Sequence, residues 1–149
     1  MNIEQRLAGY VRQGDYDGYV AARYPEIGDG EDLTFEGEDF SGVDLRQFPL
    51  DFTTFDHCVL DGAKLTGLPI AIRDSSAKGL NLIDASAIID AYNSDFRGFQ
   101  YDERTLLARP ENGDRGCSHF YGCQFDPETR KHFAEQGVIF VDNLEAPTA

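Results

Sequence analysis

Residues 33–70 read LTFEGEDFSGVDLRQFPLDFTTFDHCVLDGAKLTGLPI, and every fifth position from Phe35 is Phe or Leu: Phe35, Phe40, Leu45, Leu50, Phe55, Leu60 and Leu65, with Ile70 next. Phe and Leu together supply 23 of the 149 residues. Seven such placements in a row arise by chance about once in a million starts. Neither ordinary element uses this spacing. Five residues along an α-helix end about 140° from the starting face, and an odd step along a flat strand alternates faces. A beat of five keeps all these side chains inward only if the chain turns a corner every five residues. The stretch therefore predicts a square coil.

Positions twenty apart should then stack, about 4.8 Å from one another, with matching chemistry. Thr34 falls over Thr54, Glu36 over Asp56, Leu45 over Leu65 and Gly42 over Gly62. Phe48-Pro49-Leu50-Asp51-Phe52 is placed over Leu68-Pro69-Ile70-Ala71-Ile72, apolar on apolar and Pro on Pro. The units Glu38-Asp39-Phe40-Ser41-Gly42, Val43-Asp44-Leu45-Arg46-Gln47, Thr53-Thr54-Phe55-Asp56-His57, Cys58-Val59-Leu60-Asp61-Gly62 and Ala63-Lys64-Leu65-Thr66-Gly67 resemble the pentapeptide-repeat family, whose repeats follow Ala-Asp/Asn-Leu-X-X. The resemblance covers residues 33–103 well and 118–126 more loosely. It implies an all-β fold, a right-handed quadrilateral β-helix of about three to four coils. The central residue and the residue two before it would face inward, the latter slot taking Val43, Thr53, Cys58 and Ala63.

A chain of this length makes one domain. Residues 1–27 read as a helical N-terminal cap. Asn2 starts a helix to residue 13 with Gln5 completing a capping box, Gly14 stops it, and Asp15 caps a second helix that runs to Tyr24 before Pro25. Such a lid covers the open first coil, and its tyrosines offer a docking role as the alternative. Residues 28–103 form the repeats, with one extra residue, a bulge, expected near 86–90, because the beat resumes at Ala91, Phe96 and Tyr101. Residues 104–117 break the phase and read as a projecting loop, and 118–126 return to it. Residues 127–149 read as a helix capped by Asp126, a stop at Gly137, a strand over 138–141 and a frayed tail from Glu145.

The chain carries 27 acids against 13 bases, a net charge of −14. That balance argues against direct binding of nucleic acid or an anionic membrane and favours a basic partner. Met1-Asn2-Ile3-Glu4 lacks the basic start and apolar run of a secretory leader, no stretch approaches the ~20 apolar residues of a membrane span, and three cysteines suit a reducing compartment, so a cytoplasmic protein is expected.

Between residues 29 and 61 the acids Asp29, Glu31, Asp32, Glu36, Glu38, Asp39, Asp44, Asp51, Asp56 and Asp61 face one base, Arg46. Members of the family resemble DNA and bind bacterial type II topoisomerases, blocking or protecting them. What the resemblance implies here is a mimic of duplex charge that engages the basic cleft of a DNA-acting enzyme, a topoisomerase or a nuclease complex, with the 104–117 loop adding selectivity. The alternative is an adaptor or effector that binds through an apolar ladder of Pro49, Phe52, Pro69 and Ile72, extended by Ile89 or Tyr92, which would equally serve a homodimer. No catalysis, metal or cofactor is expected. Cys117, His119, Cys123 and His132 lie close in sequence, but five residues separate the cysteines where zinc fingers space theirs by about two to four. Gly28-Asp29-Gly30 lacks the Lys-Ser/Thr of a phosphate loop, and His57 falls on an outer, solvated position.

Overall fold

The computed structural model describes residues 2–28, 31–66, 69–107 and 117–142. Six short parallel strands follow one another in chain order in a single sheet: β1 (Leu33–Glu36), β2 (Thr53–Asp56), β3 (Pro69–Arg73), β4 (Ile88–Tyr92), β5 (His119–Tyr121) and β6 (Ile139–Val141). The chain thus returns to the same side after each circuit, making a β-solenoid of about five turns, one or two more than the repeat units suggest. The sheet forms side one. A second side is marked by bridges linking Asp39, Val59, Ser76, Asp95 and Gln124, and a third by Asp44, Lys64, Asn81 and Gln100. A fourth side shows one bridge among the described residues, Ser86 to Leu106.

The inward columns follow the expected slots. Phe35, Phe55, Ile72, Ala91 and Phe120 stack down side one, and Phe40, Leu60, Ala77 and Phe96 down side two, all buried. Aromatic rings meet face to face along the axis, Phe35 on Phe55 at 5.7 Å, and edge to face across it, Phe40 on Phe55 at 5.8 Å. On side two the slot two residues earlier takes Cys58, Ser75, Ser94 and Cys123, small for a reason beyond space. Ser75 Oγ donates to the Arg73 carbonyl at 2.7 Å and Ser94 Oγ to the Tyr92 carbonyl at 2.9 Å. Each hydroxyl also accepts from a neighbouring coil, Ser75 Oγ from Cys58 N and Ser94 Oγ from Ser75 N. A short polar side chain here closes a corner that the backbone alone leaves open.

Successive turns contain 20, 17, 19, 29 and 20 residues, and this corrects the expected stacking. The first turn is regular: Thr34 pairs with Thr54 and Glu36 with Asp56. The second is three residues short, so Ile72 lies against Phe55 and is fully buried rather than outward. Ile70, Ser75, Leu80 and Ala85 kept the five-residue beat, but they occupy the slot two before the centre. Removing three residues from a cycle of five advances the phase by two, and both slots face inward. The third turn is one residue short between Ala87 and Ala91. The two losses together look, modulo five, like the single extra residue expected near 86–90. Leu68 lies outside the described residues, as do 108–116 and the tail from 143.

The two N-terminal helices form with the expected caps. Asn2 and Gln5 make a reciprocal capping box on α1 (Ile3–Gln13), and Gly14 ends it at φ 70°. The Asp15 side chain accepts from Gly18 N at the start of α2 (Tyr16–Arg23). Leu7, Ala8 and Val11 are buried in the core, and Arg12 pairs with Glu38. On α2, Tyr19 packs its ring on Phe48 at 5.2 Å, and its hydroxyl donates to the Pro49 carbonyl at 3.0 Å. Arg23 is buried and donates to both the Tyr19 hydroxyl and Pro49 O. Burial pushes the Tyr19 phenol up to about 12 despite that cation, so it stays a donor at neutral pH. At the other end, α3 (Pro127–Glu135) starts after Asp126, but its carboxylate does not cap the helix; it accepts from Gly98 N at 2.9 Å. Residues 104–107 belong to a coil rather than to a projecting loop: Thr105 and Leu107 are buried and Leu106 bridges Ser86, while Cys117 is buried too.

Thr53 occupies an inward slot between Leu33 and Ile70, and its hydroxyl is buried without a hydrogen-bond partner. Thr53→Val keeps the shape and removes the desolvated hydroxyl, so chemical denaturation should show a gain of about 1 kcal/mol. A loss would show that the hydroxyl is used.

Candidate functional site

The acids of the first two coils do not gather on one face. Glu31 and Asp32 are exposed ahead of β1, and Asp29 lies outside the described residues. Glu36 and Asp56 point outward from side one in register. Asp39 and Asp61 lie on side two, Asp44 on side three, and Asp51 is exposed on side four just before Phe52. Together they encircle the rod. The ranks end quickly: the outward column continues from Glu36 and Asp56 to Arg73, Tyr92 and Tyr121. Tyr92 stacks on Tyr121 at 5.1 Å, and the Arg73 guanidinium lies over the Tyr92 ring.

Several of these carboxylates are spent on corners. Asp39 Oδ1 accepts from Ser41 N at 2.9 Å and from its hydroxyl at 2.6 Å. Asp44 Oδ1 accepts from Arg46 N at 3.1 Å, and its two oxygens hold the Arg46 guanidinium. Asp95 does the same for Arg97, and Asp102 accepts from Arg104 N. Asn81 makes the same bond to Ile83 N at 2.9 Å without any charge. The shared geometry, a side-chain oxygen reaching the amide two residues on, is an Asx turn. Asp61 instead reaches the next coil, accepting from Ser76 Oγ at 2.6 Å and Lys78 N at 2.9 Å. The neutral Asn81 in the slot of Asp44 is the signal in the sequence that this position serves the turn.

Hydrogen bonding holds these carboxyls low. The Ser41 hydroxyl lowers Asp39, the Arg46 guanidinium brings Asp44 down to about 2, and the Arg97 guanidinium lowers Asp95.

Of the four residues read as an apolar ladder, Phe52 and Pro69 stand exposed and the other two do not. Pro49 is half-buried, its carbonyl taken by Tyr19 and Arg23 of α2, and Ile72 and Ile89 are core. Phe52 is 51 % exposed and its amide donates to Pro69 O at 2.9 Å; Pro69 is exposed and in register with Ile88. Phe52, Pro69, Ala71 and Ile88 line a shallow groove of about 270 Å³ with Asp32 and Asp90. Ile88 was missed because the lost residues shift it into the column.

The residues weighed for zinc are not assembled. Cys117 Sγ donates to Gly137 O, Cys123 Sγ faces Tyr121 O, His119 faces Asp90 at 3.4 Å, and His132 packs on Tyr101 and Phe133. Burial pushes the Cys123 thiol up to about 11. Among the described residues, the group with donor atoms close enough to share a cation is Asp56, His57 and Asp74, within 4.8 Å of one another on an exposed corner. No helix among the described residues is long and apolar enough to cross a membrane. Compared with models of protein families, with curated proteins and with solved structures, the chain matched none.

The depressed carboxyls make stability acid-dependent. Each is lowered in the folded protein, so its contribution is full above the ordinary carboxyl value near 4 and is lost as pH falls below it, for Asp44 toward about 2. Thermal melts should show a plateau that declines over that window, and Asp95→Asn, which retains an oxygen for Arg97 N, should decline less steeply. An equal decline in both proteins would place the acid sensitivity elsewhere.

Proposed function

We propose that the chain is a non-catalytic binding protein of the pentapeptide-repeat type, which engages the basic cleft of a DNA-acting enzyme by presenting the charge of a duplex. The observation that carries this reading is Glu36 held in register over Asp56, with further acids around the same two coils. Residues 33–69 hold seven acids and two bases. Two coils rise by about 10 Å, which gives roughly one net charge per ~2 Å of axis against about 1.7 Å in duplex DNA. The third coil, with Asp74 and Asp84 against Arg73 and Lys78, is neutral, so the matching length is short. A basic cleft that desolvates phosphates accepts such a surface without reading bases.

The test uses the full chain against a bacterial type II topoisomerase and, separately, a restriction nuclease. The protein should slow one of these enzymes, and added duplex or higher salt should relieve the effect. Glu36→Lys with Asp56→Lys should abolish it. These two positions are chosen because Asp39, Asp44 and Asp61 hold corners, whose loss would confuse folding with binding. Full activity of both enzymes with the protein in excess, or a double variant that acts like the parent, would sink the proposal. A partner captured equally at low and high salt would instead point to the groove beside Phe52.

A further inference from the structure

We infer that the groove beside Phe52 is a docking site for a segment of a partner protein that carries a large apolar side chain flanked by Lys or Arg. The first observation is the backbone of Phe52. Among the described residues, five non-glycine positions have positive φ: Phe52, His57, Asp74, Asp84 and Asn93. Four of these are the residue types that tolerate the left-handed region, whereas a bulky aromatic does not. Phe52 holds φ 62° and leaves half its surface in water. An Asn or Gly would make the same corner without either penalty, and the corner after side one uses both. Strain and exposure spent together on one side chain mark it as an anchor.

The second observation is what surrounds it. Pro69, Ala71 and Ile88 continue the apolar strip on the outer face of β3 and β4, next to Phe52. The charged residues in the lining are Asp32 and Asp90, and Asp51 adjoins Phe52 in the chain. Asp90 also faces His119 at 3.4 Å. An apolar floor with an acidic rim is complementary to an apolar side chain between cations. A second copy of this chain is a poor occupant, because a two-fold contact sets Asp32 and Asp90 near their own equivalents on molecules of charge −14. Phosphate-bearing surfaces are repelled for the same reason.

The experiment measures fluorescence anisotropy with two short labelled peptides, one with Phe and Leu set among lysines and one with those two replaced by Ser. The full chain should bind the first peptide at both low and high salt, and the second only weakly and only at low salt. Phe52→Asn suits the corner, so its melting should match the parent while affinity for the first peptide falls about tenfold. Ile88→Ser, on the outer face of β4, repeats the test if that variant melts early. Asp32→Asn with Asp90→Asn should weaken binding about threefold and flatten its salt dependence. Equal binding of both peptides, no binding, or an unchanged affinity in Phe52→Asn and Ile88→Ser would overturn the inference. So would sedimentation showing a parent dimer that Phe52→Asn dissociates, since the occupant would then be a second copy. The Glu36→Lys, Asp56→Lys protein retains the groove, so peptide binding and enzyme inhibition can fail separately.

Discussion

One backbone hydrogen bond, repeated at the corner after side one, governs the rest of this protein. Gly37 N donates to Asp56 O, His57 N to Arg73 O, Asp74 N to Tyr92 O, Asn93 N to Tyr121 O and Gly122 N to Val141 O, each between 2.7 and 3.0 Å. All five donors sit at positive φ. The chain must turn sharply there while keeping its amides along the rod axis, and the left-handed conformation does both. The residue choice follows, since Gly, Asn, Asp and His tolerate that region best. Once the corner is set, the centre of each unit and the residue two before it have nowhere to point but inward.

The same corner chemistry changes how the acidity is understood. A negative charge of 14 invites a functional reading, yet Asp39, Asp44, Asp95 and Asp102 each secure a turn amide. Asn81 shows that an amide side chain suffices for that bond. Charge at these sites is therefore partly a by-product of a turn that needs a short side-chain acceptor. Glu36 and Asp51 are outside this explanation, because they make no such turn bond. They, with Asp56 in register above Glu36, are where the acidity is in excess of what the fold requires.

The fold was legible because Phe and Leu recur at a spacing that other architectures do not use, and because Asn2, Gly14 and Asp15 punctuate the caps in ways that depend on local geometry alone. Ile72 was not legible. A turn short by three residues exchanges the two inward slots, both of which accept aliphatic side chains, so the beat runs on through Ile70, Ser75 and Leu80 without a visible fault. The pairing of Pro49 with Pro69 reinforced the error: they are twenty residues apart, but one lies on side four beneath α2 and the other opens β3. Asp126 was half legible. Its position before Pro127 reads as a helix start, while the destination of its carboxylate, Gly98 N, depends on a coil 28 residues away. The groove was legible only as apolar residues; its membership depended on turn lengths that periodicity modulo five conceals.

Side four is where turn length varies. The second turn loses three residues there, and the fourth exceeds its neighbours by nine or more before β5 resumes the register. The sheet of side one, by contrast, pairs strand to strand through all five turns. Long-range order is thus carried by the sheet wall and by the bridged sides two and three, and side four, which adjoins side one, tolerates deletion and insertion without passing the disturbance along the axis. The molecule is in this sense a spine with an editable flank. Grafting foreign peptides between Leu107 and Cys117 would use that freedom, turning a rigid rod into a display scaffold.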